Sequence, residues 1–260
     1  MPNRRDFMIH SGSAVAAMAI LPSEVLARTV GFAAPVNVGI IGVGRQGRSM
    51  LAELQKFSDV TIKAICDTYP ARLSAGERRA RGATAYADHR ELLDKGGCDA
   101  VIIATPTHLH KQIAIDAMQA GKHVYCEGPL AHTVEDCVEI AQAARAHDKV
   151  FQVGLQGRAN PVYTLAWTFY RSDSVRDNVL MRGQAARKTS WRFPVSDSSF
   201  EKAMNWRLDP AVSLGLAGEW GTQQFDVFHW YRSRYPTRVS GSGTIQLHKD
   251  GREIADTITA

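Results

Sequence analysis

The sequence predicts an α/β protein that begins with a parallel, doubly wound sheet. Short runs that are almost entirely apolar recur along residues 38–153, and helix-like stretches separate them. A strand that is apolar at every position needs cover on both faces, and helices between parallel strands supply that cover. With 260 residues, 45% of them hydrophobic, the chain is long enough for such a domain and a second one.

The predicted elements follow in a regular order. Residues 38–41 form the first apolar run, a helix is predicted to about residue 57, and a second run at 60–65 completes a βαβ unit. Further strands are predicted at 100–104, 123–126 and 150–153, and helices at 110–120 and 133–146. Thr133, followed by Asp136, fits a helix N-cap with an acidic residue in the first turn.

The character of the sequence changes after about residue 156, where longer segments rich in Arg and Trp begin. A helix is predicted at 220–231, an alternating strand at 238–248, a turn at 249–251 and another strand at 252–258. Because the chain stops at Ala260 within this strand pattern, we expect a second domain at 156–260 whose sheet is truncated.

The N-terminus is typical of a bacterial twin-arginine export signal at residues 1–34. Arg4 and Arg5 precede an apolar stretch at 14–21, which is far shorter than the roughly 18–20 residues of a membrane span. We expect cleavage after Ala27, or alternatively after Ala34, and a periplasmic location. A leader that contains the arginine pair by chance is the alternative. Because this route carries folded proteins, it favours a tightly held cofactor.

Charge and cysteine usage narrow the function. The formal charge is +5, but Lys and Arg form no run of five or six, so nothing supports a nucleic-acid partner. The cysteines contain no Cys-x-x-Cys pair and no His at metal-ligand spacing, so no metal site is predicted. We interpret these four residues as buried thiols, with a disulfide as the alternative: Cys66, Cys98, Cys126 and Cys137.

A glycine-rich loop lies between the first strand and the first helix. In this pattern Gly42 allows a tight turn, Gly44 lets a pyrophosphate approach the backbone, and Gly47 lets the helix pack on the strand. Asp67 ends the second strand, where a carboxylate can accept hydrogen bonds from the adenosine ribose. These residues predict an NAD site. Asp67 would repel the 2′-phosphate of NADP, although Arg45 leaves NADP open.

A second polar loop follows the strand at 100–104. It reads Thr-Pro-Thr-His-Leu-His from Thr105 to His110, and we expect it to run beside the nicotinamide ribose. His110 is expected to cap the next helix or to contact the cofactor. For His108, a structural hydrogen bond is at least as good an explanation.

These motifs resemble the Gfo/Idh/MocA family of oxidoreductases, and the similarity extends over nearly all of residues 36–260. The resemblance implies an N-terminal Rossmann domain at 35–155 and a C-terminal α/β domain at 156–260 with an open mixed sheet. It implies NAD(P)-dependent chemistry on sugars and cyclitols, permanent cofactor binding in some exported members, and glycoside cleavage in a few. Homo-oligomers that form through the C-terminal sheet are also implied.

Two positions depart from the family pattern. The family's Glu-Lys-Pro carries a catalytic lysine, whereas this chain has Gly128 between Glu127 and Pro129. The family's Asp-x-x-x-His-x-x-Asp carries a histidine where this chain has Gln223, and its first Asp is replaced by Glu219. A positioned general acid or base contributes roughly 10²–10⁴ in rate. Both changes together therefore predict an altered or a lost activity.

The expected site combines one catalytic residue with two sets of contacts. Glu219 is the expected proton acceptor, because an amide such as Gln223 is not a base near neutral pH. Trp191 and Trp230 are better explained by core packing, whereas Trp206 suits sugar recognition. The expected substrate contacts are Gln223, Asp226, Arg158, Tyr163 and Trp206. The expected cofactor contacts are Gly42, Gly44, Arg45, Gln46, Gly47, Asp67, Thr105, Pro106, His110 and Glu127.

Three functions are consistent with these residues. The first is an NAD(P)-dependent oxidoreductase that acts on a sugar or glycoside with a tightly bound cofactor. The second is a redox-neutral glycoside hydrolase, because an exported enzyme without free dinucleotide has to return the hydride to a substrate. The third is a dinucleotide-binding protein without catalysis, which Gly128 and Gln223 would explain.

Overall fold

The computed structural model describes residues 35–174, 176 and 180–260. The export signal expected at 1–34, with its arginine pair and both expected cleavage positions, lies outside the described residues. Among the helices of the described residues, none combines the length and the apolar character that crossing a membrane would need.

Six parallel strands form the main sheet, as the sequence predicts. The strands are β1 (Val36–Ile41), β2 (Val60–Cys66), β3 (Thr84–Tyr86), β4 (Ala100–Ile103), β5 (His123–Glu127) and β6 (Phe151–Gly154). Their spatial order is β3-β2-β1-β4-β5-β6, and every neighbouring pair is parallel. This is the doubly wound order of dinucleotide-binding folds, so the predicted fold class is confirmed. The order reverses between β1 and β4, which opens a crevice at the carboxyl ends of the strands.

Helices connect the strands and cover the sheet. They are α1 (Arg45–Leu54), α2 (Pro70–Glu77), α3 (His89–Lys95), α4 (His110–Gln119) and α5 (Val134–Ala146). The Thr133 side chain accepts a hydrogen bond from the backbone N–H of Asp136 at 3.1 Å, which confirms the predicted N-cap of α5. α2, β3 and α3 were not predicted, because these are short segments with little apolar periodicity.

Two apolar clusters lie on opposite faces of the sheet. Ile41, Val101 and Ile103 belong to the larger cluster, whereas Ile40 and Ile65 belong to the smaller one. Successive side chains of a strand point to opposite faces, so β1 must be apolar at both positions. The continuous apolar runs in the sequence have this cause.

The cysteines are free thiols, as the sequence analysis favoured over a disulfide. Cys66, Cys98 and Cys126 are buried in the larger apolar cluster, and Cys137 packs against it. Burial raises the pKa of Cys66 to about 12 and that of Cys98 to about 11. These thiols therefore stay protonated and serve as small apolar core residues.

Beyond β6, most of the regular elements of the described residues are helices. It contains α6 (Pro161–Arg171), α7 (Glu201–Met204), α8 (Gly215–Glu219) and α9 (Gly221–Arg232), followed by β7 (Ser242–Thr244) and β8 (Thr257–Thr259). The helix predicted at 220–231 is confirmed within one residue. β7 and β8 pair antiparallel in a two-stranded sheet, so the long strands predicted at 238–248 and 252–258 are wrong in extent.

The short length of this second sheet has a local cause. The Asp256 carboxylate accepts the backbone N–H groups of Gln246, Leu247 and His248 at 2.8–2.9 Å. A side chain therefore takes the donors that a longer strand would offer to its neighbour, and the ladder stops at Thr244.

Candidate active site

The glycine loop has the geometry that its pattern predicts. Gly42 has a positive φ of 93°, and a Cβ there would stand 2.7 Å from the Ala104 carbonyl oxygen. A Cβ on Gly47 would overlap the carbonyl oxygen of Gly42. At Gly44 the nearest atom would be an Arg72 guanidinium nitrogen at 3.6 Å, which is ordinary contact. Gly42 and Gly47 are thus required by the protein's own packing, whereas Gly44 leaves space for a ligand.

The N-terminus of α1 is suited to a diphosphate. Gly44 is its N-cap and provides no side-chain hydrogen bond to the first N–H groups, which are the donors that bind phosphate at helix ends. The guanidinium groups of Arg45 and Arg72 lie 5.0 and 5.9 Å from the centroid of the Phe193 ring. Two cations therefore stand beside the open glycine, and these residues fit a dinucleotide.

Asp67 stands at the carboxyl end of β2, where the ribose of a dinucleotide is expected. One of its oxygens accepts the Val43 N–H at 3.1 Å, and the other accepts the Tyr69 N–H at 2.9 Å. Burial raises the pKa of this carboxyl, while the two backbone donors and the nearby Arg72 oppose the shift. The backbone thus fixes the direction of the carboxylate, whose remaining lone pairs can accept ribose hydroxyls.

A cavity of about 560 Å³ extends from the glycine loop along the carboxyl edge of the sheet. Gly44, Asp67 and Thr105 line one wall, while Phe193 and Trp206 come from the opposite wall. Arg45, Gln46 and Pro106 also line it, as expected for cofactor contacts. Arg72 and Phe193 also line this cavity and were not predicted, because neither belongs to a recognisable sequence motif. The only signal for Arg72 is its position just after the strand that ends in Asp67.

A second cavity of about 300 Å³ adjoins the first. It brings together Glu127, Gly128, Glu219 and Gln223, which the resemblance places in one catalytic site. Thr107, Gln156 and the arginines Arg187 and Arg207 were not among the expected contacts. They line this cavity together with Gln46, Thr105 and His110.

Glu219 has an enclosed carboxylate at the wall of the smaller cavity, with 2% of its side chain exposed. Thr107 Oγ1 donates to Glu219 Oε1 at 3.2 Å, and Arg207 Nε lies 3.5 Å from Oε2. Burial raises the pKa of Glu219, and the positive charge of Arg207 partly offsets that effect. A carboxyl with a raised pKa that is fixed at a cavity wall is suited to proton transfer.

Gln223 occupies the space beside Gly128. Its Nε2 donates to the Gly154 carbonyl oxygen at 2.9 Å, whereas its Oε1 is buried and has no hydrogen-bond partner among the described residues. A buried acceptor without a donor costs about 1–3 kcal/mol, so this oxygen is poised to accept a hydrogen bond from a ligand. Gln223 thus presents an acceptor, and not a base, to the cavity.

Glu127 lies on the other side of Gly128. Its Oε1 accepts a hydrogen bond from Gln46 Nε2 at 2.9 Å, and its Oε2 accepts the Gly128 N–H at 3.3 Å. Burial raises the pKa of Glu127, and these two donors oppose the shift. The contact with Gln46 joins the end of β5 to the start of α1, so the carboxylate connects the glycine loop to the smaller cavity.

His110 positions the loops and offers neither ring nitrogen to a ligand. Only 1% of the residue is exposed, Nε2 lies 3.0 Å from the Thr105 carbonyl oxygen, and Nδ1 lies 3.0 Å from that of Pro129. Burial lowers the pKa of His110, which the contacts with these two carbonyl oxygens and with that of Leu130, 3.2 Å from Nδ1, oppose. It does not cap α4 through its side chain, since Leu109 is the N-cap. His108 lines the larger cavity, and its Nδ1 lacks a partner among the described residues.

Three expected substrate contacts lie elsewhere in the described structure. Arg158 and Asp226 form a bidentate ion pair with N–O distances of 2.7–3.1 Å. Neither residue lines the larger or the smaller cavity. Tyr163 is half exposed, and its carbonyl oxygen accepts a hydrogen bond from Tyr231 at 2.5 Å. These residues join the segment after β6 to α9. They explain how that helix is held rather than how a ligand is bound.

The tryptophans are packing residues in most cases. Trp230 stacks on Trp167 with ring centroids 5.6 Å apart, and Trp191 is buried against Trp220 at 5.4 Å. Trp206 is 5% exposed and lies under the Arg207 guanidinium, 4.4 Å from it. Trp206 lines the larger cavity and not the smaller one. Its position therefore favours a contact with the cofactor over the expected contact with a sugar.

The sequence of this chain is similar to those of known oxidoreductases and of a glycosidase. Residues 36–155 match the Gfo/Idh/MocA family, which is described as an oxidoreductase family with an NAD-binding Rossmann fold. The chain is 38% identical over 133 residues to an alpha-N-acetylgalactosaminidase of Shewanella oneidensis, an alignment that covers 46% of this chain and 29% of that protein. It is 32% identical over 226 residues to the uncharacterized oxidoreductase YrbE of Bacillus subtilis, covering 86% and 62%.

A solved structure gives the same fold. The scyllo-inositol dehydrogenase of Lactobacillus casei, crystallised with NAD(H) and scyllo-inositol, superposes with a TM-score of 0.68 at 22% identity. The superposition covers 82% of this chain and 61% of that one. The chain thus spans less than two thirds of the length of each of these three proteins.

Proposed function

The chain belongs to the Gfo/Idh/MocA oxidoreductase family through its NAD-binding Rossmann domain, and from this premise we propose that it is an exported oxidoreductase acting on a sugar or glycoside. One observation carries the proposal. Glu219, a buried carboxyl with a raised pKa, and Gln223, whose buried side-chain oxygen has no hydrogen-bond partner among the described residues, line one cavity that adjoins the dinucleotide cavity. The periplasmic location rests on the twin-arginine pattern at Arg4 and Arg5.

The residues of the smaller cavity divide the proposed chemistry between them. NAD supplies the hydride acceptor when it is bound. Glu219 takes the proton of the reacting hydroxyl, and Thr107 and Arg207 hold its carboxylate in place. Gln223 Oε1 accepts a hydrogen bond from a substrate hydroxyl and so orients it. The protein thus provides one general base, Glu219, whereas the family pattern provides a lysine and a histidine.

A tightly held cofactor is part of the proposal. The wall of the larger cavity opposite the sheet comes from the segment around Trp191, Phe193 and Trp206. Asn205 fixes this segment, because its side chain accepts the Phe193 N–H at 2.7 Å and donates to the Phe193 carbonyl oxygen at 3.1 Å. A wall that is held in this way favours slow exchange of a dinucleotide beneath it.

A redox-neutral glycoside hydrolase is the second candidate. It is supported by the 38% identity to the alpha-N-acetylgalactosaminidase and by a tightly held cofactor, since hydride that stays in the site can return to the same substrate. A protein that binds the dinucleotide without catalysis is the third, and the substitutions at Gly128 and Gln223 support it.

One experiment separates the three. The exported protein is purified, and its bound nucleotide is released by denaturation and identified. The intact protein then receives a panel of sugars and nitrophenyl glycosides, while absorbance of reduced nicotinamide and of nitrophenolate is followed. Reduction without nitrophenolate supports the oxidoreductase, whereas nitrophenolate without net reduction supports the hydrolase. Bound dinucleotide with neither signal would overturn both enzymatic proposals.

A further inference from the structure

Arg187 stands where the dinucleotide cavity and the smaller cavity meet. It lines both of them, although it belongs to neither sequence motif. The preceding segment packs against α9, since a Cβ on Gly183 would contact the Gln224 and Phe228 side chains at 3.0–3.2 Å. The Arg187 guanidinium lies over the Trp220 ring, 5.6 Å from its centroid. Tertiary packing therefore directs this exposed cation toward the cavities.

The positive charge of Arg187 is not neutralised by an acidic side chain of the described residues. Its guanidinium lies over the Trp220 ring, and no carboxylate of the described residues forms an ion pair with it. Arg207, the other arginine of the smaller cavity, is already paired with Glu219. Arg45 and Arg72 stand beside Gly44 at the helix N-terminus, where a diphosphate would lie. Among the described residues, Arg187 is thus the arginine of the smaller cavity without an acidic partner.

We propose that Arg187 binds an anionic substituent of the substrate, so that the site selects a sugar bearing a carboxylate or phosphate group. The inference rests on the proposed function and narrows its substrate class. Glu219 and Gln223 offer acceptors, which suit the hydroxyls of any sugar. A guanidinium backed by an aromatic ring offers a planar pair of donors with a permanent charge, which suits a carboxylate or phosphate.

The size of the effect follows from the exposure of Arg187. Charge-assisted hydrogen bonds are roughly twice as strong as neutral ones, and a half-open cavity mouth screens them only in part. We expect a charged sugar to bind about tenfold tighter than its neutral counterpart, which corresponds to about 1.4 kcal/mol. The difference should shrink as the salt concentration rises.

The test compares binding, so it does not depend on turnover. The NAD-loaded protein is titrated calorimetrically with glucose, glucuronate and glucose 6-phosphate, and the free protein is titrated with NAD. Wild type is compared with Arg187→Gln and with a control, Arg238→Gln, which removes an exposed arginine remote from both cavities. The two charged sugars distinguish a carboxylate from a phosphate as the preferred group.

We expect Arg187→Gln to abolish the preference for charged sugars, with NAD affinity unchanged within about twofold, and Arg238→Gln to behave as wild type. Equal binding of all three sugars to wild type would overturn the inference. So would a variant that keeps the preference but loses NAD affinity, because Arg187 would then serve the diphosphate. A wild type that binds no NAD would instead refute the proposed function.

Discussion

The side-chain nitrogen of Gln223 lies 3.4 Å from the position that a Cβ on Gly128 would occupy. The Gly154 carbonyl oxygen, to which this nitrogen donates, would stand 3.1 Å from the same Cβ. The two positions that the sequence predicts to depart from the family pattern, Gly128 and Gln223, therefore pack against the same Gly154 carbonyl group. A side chain at position 128 would crowd the Gly154 carbonyl oxygen, which accepts the hydrogen bond that holds Gln223, so the two positions should be changed together.

Restoring the family residues tests this coupling. Gly128→Lys alone should give little activity, because its Cβ is crowded and Gln223 still fills the adjacent space. The double variant Gly128→Lys/Gln223→His should raise the rate of sugar oxidation by about 10²-fold, since it returns a general base. Single-turnover reduction of bound NAD measures the rates. A single variant as active as the double variant would contradict the coupling.

Removal of the buried carboxyl should abolish the proposed proton transfer. We expect Glu219→Gln to lower kcat by about 10²–10⁴ while the fold is kept. Because burial raises the pKa of Glu219, wild-type activity should rise with pH as the carboxyl loses its proton, starting above the ordinary value of 4.5. The pH profile of kcat measures this limb. Its persistence in Glu219→Gln would show that another group titrates, and Glu253→Gln, at an exposed site, is the control.

The glycine loop offers two alanine substitutions with opposite outcomes. Gly47→Ala should destabilise the fold by more than about 2 kcal/mol, because its Cβ would overlap the Gly42 carbonyl oxygen. Gly44→Ala should change stability by less than about 0.5 kcal/mol, since a Cβ has room there, but should weaken NAD binding. Urea unfolding and NAD titration measure the two effects. Unchanged NAD affinity in Gly44→Ala would argue against a diphosphate at this helix end.

Asp67 should set both the affinity for NAD and the discrimination against NADP. We expect Asp67→Ala to weaken NAD binding about tenfold and to narrow the difference from NADP, because a carboxylate hydrogen-bonds the ribose and repels a 2′-phosphate. Burial raises the pKa of Asp67, so wild-type affinity should fall as pH is lowered toward that pKa, and the variant should lack this dependence. Calorimetry with both cofactors measures it, with the exposed Asp59→Ala as control. An unchanged cofactor preference would exclude the role.

The pair of Arg158 and Asp226 should matter for stability and not for substrate. The Asp226 side chain is 9% exposed, so Arg158→Ala leaves a buried carboxylate without its partner and should cost about 1–3 kcal/mol of unfolding free energy. KM for the sugar should stay as in wild type. Chemical denaturation measures the unfolding free energy, and steady-state kinetics measure KM. A raised KM with unchanged stability would restore both residues to the substrate site, where the sequence analysis expected them.

The parallel sheet and the dinucleotide-binding residues at its carboxyl edge could be predicted from the sequence, because each depends on residues that are close together in the chain. The apolar runs of β1 and β4 reflect burial on both faces of the sheet, and Gly42 and Gly47 stand where sterics permit only glycine, while Gly44 leaves room for a ligand. Asp67 follows directly from the end of β2. Each of these features depends on neighbours along the chain, so a pattern of residues suffices to reveal it.

What only the tertiary structure decided is which polar groups have partners. The sequence determined the α/β class and the dinucleotide loop, and it predicted that Gly128 and Gln223 stand where the family pattern has a lysine and a histidine. It predicted that Arg158 and Asp226 bind the substrate, yet these two residues form an ion pair with each other. Arg187, which belongs to no sequence motif, lines the smaller cavity. Ion pairs and free cations are set by contacts between residues far apart in the chain. Their partners are fixed by packing, and no local spacing records them.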